Sequence, residues 1–390
     1  MERDWPDNVV QIARMVDASR GGYFRAAYNL AREFRKRGVR VVNRTLYGPP
    51  ANTADDLGVF RPMPLWAAIT SRVRAKHLNL LLEIPLFSLA ATWTALRSRD
   101  VVLVHNDSFA GDVYRSPSCH REAVDSKKRK GERRWWFFPL HPFWLFREWF
   151  VFGRGKRPFL VAVSRACEEE HRRHYGLDPA RIEWIPNGVD RDLFRPARDR
   201  TALREELGIP RDAFVVLFVG NDFNNKGVSV LIDGVAEAKN SEKLWVAVVG
   251  DDARAPYERH AAQRGVADRV NFFGRRNDAE KFYAASDVFV LLSHYEAFGN
   301  VAMESLAAGT PVISTKVGGM LDYIEHEGNG LFVERNGDSV ARAIDRLVED
   351  EALCGAMRAR ARPSTEAYDW GAIAERYLDL LGRVAGEKRA

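Results

Sequence analysis

Cysteine is scarce in this sequence. The three cysteines, Cys119, Cys167 and Cys354, lie far apart and are odd in number. They form neither a disulfide framework nor a paired metal-binding motif, a pattern typical of proteins in a reducing compartment. The first residues are charged and do not form a secretory signal. We therefore expect a cytoplasmic protein.

Long apolar runs are absent as well. The most apolar stretch, residues 78–96, contains Asn79, Glu83 and Pro85. A membrane-spanning helix needs about 20 predominantly apolar residues, so these interruptions favour an amphipathic or buried helix. There is no excess of acidic residues, because the formal net charge is +6. This balance indicates an anionic partner without choosing among nucleotides, acidic glycans, anionic lipids and nucleic acids.

The chain has 390 residues, more than one core usually organises, so two domains are expected. The first half opens with a βαβ unit, which implies a parallel sheet. Its parts are a strand at 9–16, a loop at 17–22, a helix at 23–37 and a strand at 39–46. Two further short strands, at 100–104 and 159–163, end at polar residues.

The second half alternates strands and helices more regularly. Strands are predicted at 214–219, 244–249, 270–273, 288–292 and 312–314, with helices at 228–238, 279–285 and 300–308. Prolines and a glycine between 186 and 196 mark the boundary between the halves. The predicted fold class is α/β, with two Rossmann-like doubly wound domains that face each other across a cleft. Such sheets bind ligands beyond the carboxyl ends of their strands.

Residues 121–157 combine basic and aromatic side chains. They include Lys127, Lys128, Arg129, Lys130, Arg133, Arg134, Arg154, Lys156 and Arg157, with Trp135, Trp136, Trp144 and Trp149. This mixture suits the headgroup layer of an anionic membrane, and it can also hold a nucleic acid strand. A solvated loop beside aromatic core residues is the third interpretation. We favour the membrane surface and the solvated loop equally over nucleic acid.

A loop bounded by glycines lies between the strand at 214–219 and the helix at 228–238. It runs from Gly220 to Gly227 and contains Lys226. Backbone N–H groups in such a loop, together with the lysine, can hold an anion such as a phosphate. The spacing differs from a Walker loop, and no serine or threonine follows the lysine. An ordinary turn is the alternative interpretation.

Two glutamates, Glu296 and Glu304, flank the start of the helix predicted at 300–308. The segment between them places Phe298 to Val301 at the helix N-terminus, where free amides and the helix dipole favour phosphate. Glu304 lies about one turn into the helix and can accept hydrogen bonds from ribose hydroxyls. Glu296 lies in the preceding loop and can reach a sugar. A local cap or ion pair is the alternative for a lone pair of glutamates at this spacing.

Other catalytic arrangements are not apparent. The sequence contains no convincing Ser-His-Asp set and no HExxH or CxxC metal motif. His171 and His174 lie in a predicted helix at 168–175, and we interpret them as a pair on its surface.

Further segments accompany the two glutamates. They are Ala308-Gly309-Thr310-Pro311-Val312-Ile313, Gly318-Gly319 and Ile185-Pro186-Asn187-Gly188-Val189-Asp190 with Phe194 and Pro196. With Glu296-Ala297-Phe298-Gly299 and Glu304, they resemble the E-x7-E signature of the retaining glycosyltransferase family 4. The loop from Gly220 to Gly227, residues 273–278, and Asp112-Val113-Tyr114-Arg115 followed by His120 resemble its lipopolysaccharide-core glucosyltransferase I branch.

The resemblance implies the GT-B fold. An N-terminal acceptor-binding domain would span 1–185 and a donor-binding domain 197–365, with a helix within 366–390 that packs back on the first domain. It also implies transfer of a hexose from a nucleoside-diphosphate sugar, with retention at the anomeric carbon. No metal ion and no separate cofactor are expected. The acceptor would be a hydroxyl of a cell-envelope glycan or glycolipid, and UDP is favoured over GDP.

The resemblance also implies residue roles. Glu304 would hold the ribose, Glu296 the hexose and Lys226 the diphosphate. His120 would lie beside the anomeric centre, with His105 as the alternative. Glu296 and Lys226 complete the predicted catalytic set. The other donor contacts would come from Gly21, Gly22, Gly220, Arg275, Phe298, Gly299, Asn300 and Val301.

One position departs from the family pattern. Many members carry an arginine shortly after the glycine at position 220, whereas this chain has Asn221 there. Lys226 is the only basic residue in the loop, so a second phosphate charge must come from elsewhere. Arg275, Arg276 and Arg165 are the candidates, and a weakened site is the alternative.

The main hypothesis is a cytosol-facing glycosyltransferase that extends a cell-envelope glycan or glycolipid, either in the cytoplasm or peripheral on the inner face of the plasma membrane. A glycoside phosphorylase or a sugar-nucleotide epimerase would use the same fold for another reaction. A non-catalytic protein that binds a membrane or a partner through residues 121–157 is the second alternative. A glycosyltransferase acting on nucleic acid is the least favoured.

Overall fold

The computed structural model describes residues 4–17, 22–47, 57–62, 76–129, 140–154 and 158–389. Gly21 lies outside these ranges, as do Lys130, Arg133, Arg134, Trp135, Trp136, Lys156 and Arg157. The chain folds into two compact units. The first contains residues 1–188 and 370–390, and the second contains residues 189–369.

The first unit contains one parallel sheet of seven strands, in the order β3-β2-β1-β4-β5-β6-β7. The strands are β1 (Asn8–Ile12), β2 (Arg40–Thr45), β3 (Val59–Pro62), β4 (Val101–Val104), β5 (Val113–Ser116), β6 (Phe159–Ala162) and β7 (Ile182–Trp184). The predicted strand at 9–16 is too long, because β1 ends at Ile12. Strands β3, β5 and β7 were not predicted, because their few residues mix apolar with polar or charged side chains, unlike the continuous apolar runs of β4 and β6.

The helices of the first unit are α1 (Gly22–Lys36), α2 (Lys76–Arg97), α3 (His120–Arg129), α4 (Leu140–Gly153), α5 (Arg165–Tyr175) and α14 (Trp370–Arg389). Helix α14 packs its apolar face into the core that α1 and β1 share, through Ile373, Tyr377 and Leu381. The last helix of the chain therefore completes the core of the unit that contains the first strand.

Helix α2, predicted to be amphipathic or buried, is partly buried and carries apolar side chains on its exposed side as well. It buries Ile84, Phe87 and Ala91 but exposes Leu89 and Leu96. Among the helices that the structure describes, none combines the length and the apolar character needed to cross a membrane.

The second unit contains a parallel sheet of six strands, in the order β10-β9-β8-β11-β12-β13. The strands are β8 (Phe214–Val219), β9 (Leu244–Val249), β10 (Val270–Gly274), β11 (Val288–Leu291), β12 (Val312–Thr315) and β13 (Gly330–Val333). The helices are α6 (Arg200–Glu206), α7 (Phe223–Lys226), α8 (Val228–Glu237), α9 (Ala255–Gln263), α10 (Ala279–Ala285), α11 (Asn300–Ala307), α12 (Gly337–Glu349) and α13 (Glu351–Ala361). Strands β8, β11 and β12 are almost fully buried, as expected for a sheet covered on both faces.

Both sheets reverse their strand order once, between β1 and β4 in the first unit and between β8 and β11 in the second. These parallel, doubly wound sheets confirm the predicted α/β class. In such sheets the point of reversal is where ligands bind, in the crevice beyond the carboxyl ends of the strands.

Candidate functional site

The reversal point of the second sheet brings two predicted segments together. Strand β8 leads into the residues from Gly220 to Gly227, and its neighbour β11 leads into the residues from Leu292 to Gly299. Two backbone hydrogen bonds join the segments, from Leu292 N to Lys226 O at 3.1 Å and from His294 N to Asn225 O at 3.0 Å. The lysine and the first glutamate predicted for the site therefore lie side by side.

The segment from Gly220 to Gly227 is not the open loop predicted from the sequence, because it contains the short helix α7. Asp222, in the left-handed region with φ 58°, accepts from Asn225 N at 3.2 Å through its side chain. The Phe223 N–H donates to the Asp252 carboxylate at 2.8 Å. Protein acceptors therefore hold these two amides, and the predicted contact of this segment with an anion stays a prediction.

Gly227 is required by a close approach of backbone, and Gly220 gives space to a neighbouring side chain. A Cβ on Gly220 would lie 2.7 Å from Lys226 Cδ, so the glycine leaves room for the lysine stem. A Cβ on Gly227, which has φ 83°, would lie 2.7 Å from the Leu292 carbonyl oxygen. The glycines thus set the path of Lys226 and the contact between the two segments.

Lys226 and Glu296 form an ion pair, with Nζ 2.7 Å from Oε2. Their side chains are 17% and 20% exposed, so both remain within reach of a ligand. An ammonium group has three N–H donors, and this pairing uses one of them. The two residues predicted to contact the diphosphate and the hexose are therefore adjacent, and Glu296 is held by the lysine.

The N-terminus of helix α11 follows directly. Gly299 adopts a left-handed conformation with φ 84° at the N-cap, and the Tyr323 hydroxyl lies against it, 2.8 Å from the Gly299 carbonyl oxygen. Asn300 and Val301 are half-buried in the first turn. The partial positive charge of a helix N-terminus favours an anion there.

Phe298 does not contribute its side chain to a ligand surface. The ring is 2% exposed and packs against Tyr323, with ring centroids 5.3 Å apart. Its predicted contact with the hexose or the diphosphate is therefore limited to its backbone. The ring instead anchors the start of α11.

Gly318 and Gly319, in the turn after β12, contact the backbone of the segment that carries Glu296. Gly318 has φ 54°, and any Cβ there would overlap the carbonyl oxygen of Glu296. The Gly319 N–H donates to the Ala297 carbonyl at 3.1 Å. The paired glycines let the turn after β12 lie directly on the residues that carry Glu296.

Glu304 lies one turn into α11 and is half-buried. Its Oε2 accepts from the Tyr283 hydroxyl at 3.1 Å. Tyr283 belongs to α10 and is fully buried, so it fixes the carboxylate without shielding it completely. This arrangement fits a group that accepts hydrogen bonds from ribose hydroxyls, and the role remains a prediction.

Two of the three arginines predicted as a second cation for the phosphate have other partners in the structure. Arg276 is bound to Asp278 by two hydrogen bonds of 2.8 and 2.7 Å, and Arg165 belongs to the first unit, where it stacks over Trp184. Arg275 is exposed. Arg335 was not predicted, because it lies 111 residues from its partner Asn224 along the chain.

Arg335 joins the two segments of the site. Its guanidinium donates to the Leu292 carbonyl at 2.7 Å and to the Asn224 carbonyl at 2.8 Å. Burial lowers the pKa of Arg335. This cation therefore holds the segment that carries Lys226 against the end of β11.

In the first unit, the structure separates the two candidate histidines. His105 is completely buried, and its Nε2 lies 3.2 Å from the Gln11 Oε1. His120 is half-buried at the start of α3, and its Nε2 lies 3.0 Å from His141 Nδ1. His120 is therefore the better placed to reach a substrate. Gly22, the described residue of the predicted glycine pair, begins α1.

Burial lowers the pKa of His120 to about 4, and His141 adds to the effect while Glu148 opposes it. Burial also lowers the pKa of His141. Both imidazoles are therefore neutral at pH 7, so one ring nitrogen donates to the other without repulsion between charges.

The prediction that His171 and His174 form a surface pair is wrong. His171 is fully buried, and its Nε2 faces Ser116 and the Glu148 carboxylate. His174 instead binds Glu122 at 2.8 Å. With Cys119 and Glu148, His171 forms a buried set of potential metal ligands, but hydrogen bonds from the protein already occupy both oxygens of Glu148.

Two family models match the chain. The model described as Glycosyltransferase Family 4 matches residues 20–193, and the model described as Glycosyl transferases group 1 matches residues 199–364. The first falls within the first unit apart from its last residues, and the second falls within the second unit.

Curated relatives match part of the chain. The D-inositol 3-phosphate glycosyltransferase of Xylanimonas cellulosilytica is 35% identical over 245 residues, 59% of this chain and 58% of that protein. That of Kineococcus radiotolerans is 34% identical over 254 residues, with the same coverage. The chain thus spans just under three fifths of the length of these relatives.

Solved structures share the fold over nearly the whole chain. WaaG, a glycosyltransferase involved in lipopolysaccharide biosynthesis, aligns with a TM-score of 0.79 at 23% identity, covering 96% of this chain and 99% of that one. HepE of Anabaena, solved with UDP and glucose, aligns with a TM-score of 0.73 at 18% identity, covering 96% and 99%. These likenesses confirm the predicted GT-B fold, and the chain belongs to family 4 of the glycosyltransferases.

Proposed function

We propose that this chain transfers a hexose from a nucleoside-diphosphate sugar, with UDP favoured, to a hydroxyl of a cell-envelope glycan or lipid-linked acceptor. The reaction retains the anomeric configuration and needs no metal ion. The observation that carries the proposal is the Lys226–Glu296 ion pair beside the N-terminus of α11, with Glu304 one turn further. The second unit would bind the donor and the first the acceptor.

The chemistry of the leaving group supports this placement. When the bond between the sugar and the diphosphate breaks, negative charge builds on the diphosphate. Lys226 and the α11 N-terminus place positive charge where that negative charge would develop, which is the usual basis of electrostatic catalysis. HepE, which shares this fold, was solved in complex with UDP and glucose, which supports a nucleotide as the ligand.

In the proposed reaction, the old bond breaks and the new bond forms on the same face of the sugar. The anomeric carbon loses its bond to the diphosphate oxygen and gains a bond to the acceptor oxygen. The acceptor proton passes to the departing diphosphate. In this scheme Glu296, which Lys226 holds at 2.7 Å, positions the hexose and forms no bond to the anomeric carbon.

Titration with UDP, GDP, ADP and TDP in the presence of EDTA tests this donor site. Binding of one nucleotide without metal supports the proposal. If no nucleotide binds, the donor site assigned to the second unit is wrong.

We also propose that the first unit contacts an anionic membrane surface. Seven of the eleven exposed large apolar side chains of the described residues lie on α2 and α4. These are Leu82, Leu89, Trp93, Leu96, Phe146, Trp149 and Phe150. An apolar surface of this kind suits the boundary between headgroups and acyl chains.

Helices α2 and α4 both contact Phe109. The Phe109 N–H donates to Thr92 of α2 at 2.9 Å, and its ring lies 6.0 Å from Phe146 and 5.5 Å from Phe150 of α4. Cations accompany the exposed tryptophans. Arg97 lies 4.2 Å from the Trp93 ring, and Arg154 lies 4.9 Å from the Trp149 ring. The pairing of cation and indole supports an anionic headgroup layer as the partner.

A double substitution, Leu96→Glu with Trp149→Glu, should weaken sedimentation with phosphatidylcholine–phosphatidylglycerol vesicles by about tenfold or more. Burying a leucine-sized side chain is worth about 1.5–3 kcal/mol, and both sites would also gain a charge that the lipid repels. Leu321→Glu, at an exposed leucine of the second unit, is the matched control and should bind as the unsubstituted chain does. Equal binding by the double variant would contradict the membrane surface.

A further inference from the structure

The helix that carries His120 is held at its first turn by a buried carboxylate. Glu148 of α4 is 3% exposed. Its Oε1 accepts from the His120 N–H at 2.8 Å, and its Oε2 accepts from the Arg121 N–H at 3.0 Å. The Tyr175 hydroxyl donates to Oε2 as well, at 2.6 Å. Glu148 thus satisfies two of the amides that a helix N-terminus leaves without partners.

These hydrogen bonds explain why a carboxylate can be buried at position 148. A buried carboxylate is costly unless it is fully hydrogen-bonded, and the N-terminus of α3 supplies both amides and a favourable dipole. Because the two amides bind different oxygens of Glu148, they fix both the position and the direction of the first turn. The backbone of His120 therefore has little freedom relative to α4.

The same helix α4 also holds the ring of His120. His141 Nδ1 lies 3.0 Å from His120 Nε2, and the Trp144 ring meets the His120 ring edge-on with centroids 5.2 Å apart. One helix thus holds the backbone of His120 through Glu148 and its imidazole through His141 and Trp144. The remaining side-chain freedom of His120 is small.

We infer that Glu148 is a positioning residue for transfer: it holds the first turn of α3 so that the His120 imidazole lies where the anomeric centre reacts. This inference rests on the proposed function, in which His120 lies beside that centre. Glu148 touches the backbone of His120 and not the substrate. It should therefore affect the turnover number and leave donor binding to the second unit unchanged.

Glu148→Gln is the informative substitution. It keeps the size of the side chain but replaces one acceptor oxygen with an NH₂ donor, which then faces an N–H or a hydroxyl that also donates. The first turn of α3 should shift, and a misplacement of about 1 Å at a reacting group lowers turnover by about 100-fold. We expect kcat to fall by about 10- to 100-fold, with the donor KM and nucleotide affinity unchanged.

Glu122→Gln is the matched control. Glu122 is also a buried glutamate, on α3 itself, and it accepts from Arg173 at 2.7 Å, from His174 at 2.8 Å and from Arg129. It does not bind the amides of the first turn. We expect Glu122→Gln to lower thermal stability and to leave kcat unchanged, because Glu122 bonds to Arg129, Arg173 and His174 and not to His120.

A double-mutant cycle separates positioning from general stability. If Glu148 acts through His120, Glu148→Gln should cause no further loss of kcat in a His120→Ala background. An additional 10-fold loss in that background would overturn the inference, as would an equal loss of kcat in Glu122→Gln. Full turnover in His120→Ala would refute the role of His120 itself, and the inference with it. Loss of turnover in His120→Ala but not in Glu148→Gln would refute the positioning role alone.

Discussion

Lys226→Ala is expected to weaken nucleoside-diphosphate binding by about 1.5–3 kcal/mol, which is about 10- to 150-fold in Kd. Hydrogen bonds to a charged group are worth this much, and the Lys226 ammonium has donors left after its bond to Glu296. Isothermal titration calorimetry with UDP measures the change. Nucleotide without the sugar isolates the diphosphate and ribose contacts.

A second variant is needed as a control, because removal of Lys226 leaves the Glu296 carboxylate without its ion-pair partner. That negative charge would repel the diphosphate and add to the loss. The double substitution Lys226→Ala with Glu296→Gln removes the repulsion, so the loss that remains belongs to the contact between lysine and phosphate. Lys281→Ala, at a lysine of the second unit paired with Glu206, should bind UDP normally. Unchanged affinity in Lys226→Ala would contradict the assigned diphosphate contact.

His120→Ala should lower kcat by about 100-fold with nucleotide affinity unchanged. The physical reason is the position of a neutral imidazole beside a sugar ring that develops positive charge in the transition state. Because burial lowers the pKa of His120 to about 4, its neutral form persists as the pH falls from 8 to 5. His120 should therefore cause no loss of kcat in that range, and its protonation should lower kcat only as the pH approaches 4.

His105→Ala is the comparison for this prediction. His105 is fully buried against Gln11, so its removal should lower stability more than turnover. Full turnover in His120→Ala, with loss of turnover in His105→Ala at matched folded fraction, would transfer the catalytic role to His105.

The sheets could be predicted from the sequence because their signals are local. Strands such as β8 and β9 are continuous apolar runs that each end at a glycine, and their predicted bounds agree with the structure. The C-terminal end of β1 could not be placed, because Ala13, Met15 and Val16 continue the apolar pattern after the ladder with β2 has ended. Helix α7 could not be predicted, because its asparagine-rich sequence is typical of a turn. In the structure, the Asp222 side chain caps the helix.

The candidate site was predictable where its parts lie close in the sequence. Glu296 and Glu304 share one segment with the helix start that they flank. The supports of the site join distant residues: Arg335 reaches Asn224 across 111 positions, and Glu148 reaches the His120 amide across 28. No pattern in a single sequence shows such pairs, and the burial of His171 depends on the same tertiary contacts. They become visible only when the helices pack.

Calorimetric titration with UDP, GDP, ADP and TDP in EDTA, repeated on Glu304→Ala, tests the donor site most directly. We expect UDP to bind, and Glu304→Ala to weaken that binding by about 1.5–3 kcal/mol because the ribose hydroxyls lose a charged acceptor. Glu280→Ala, at a glutamate of α10 that lies outside the site, should bind UDP as the unsubstituted chain does. Absence of binding by every nucleotide, or equal affinity for UDP in Glu304→Ala, would contradict a nucleotide-sugar site at the carboxyl ends of β8 and β11.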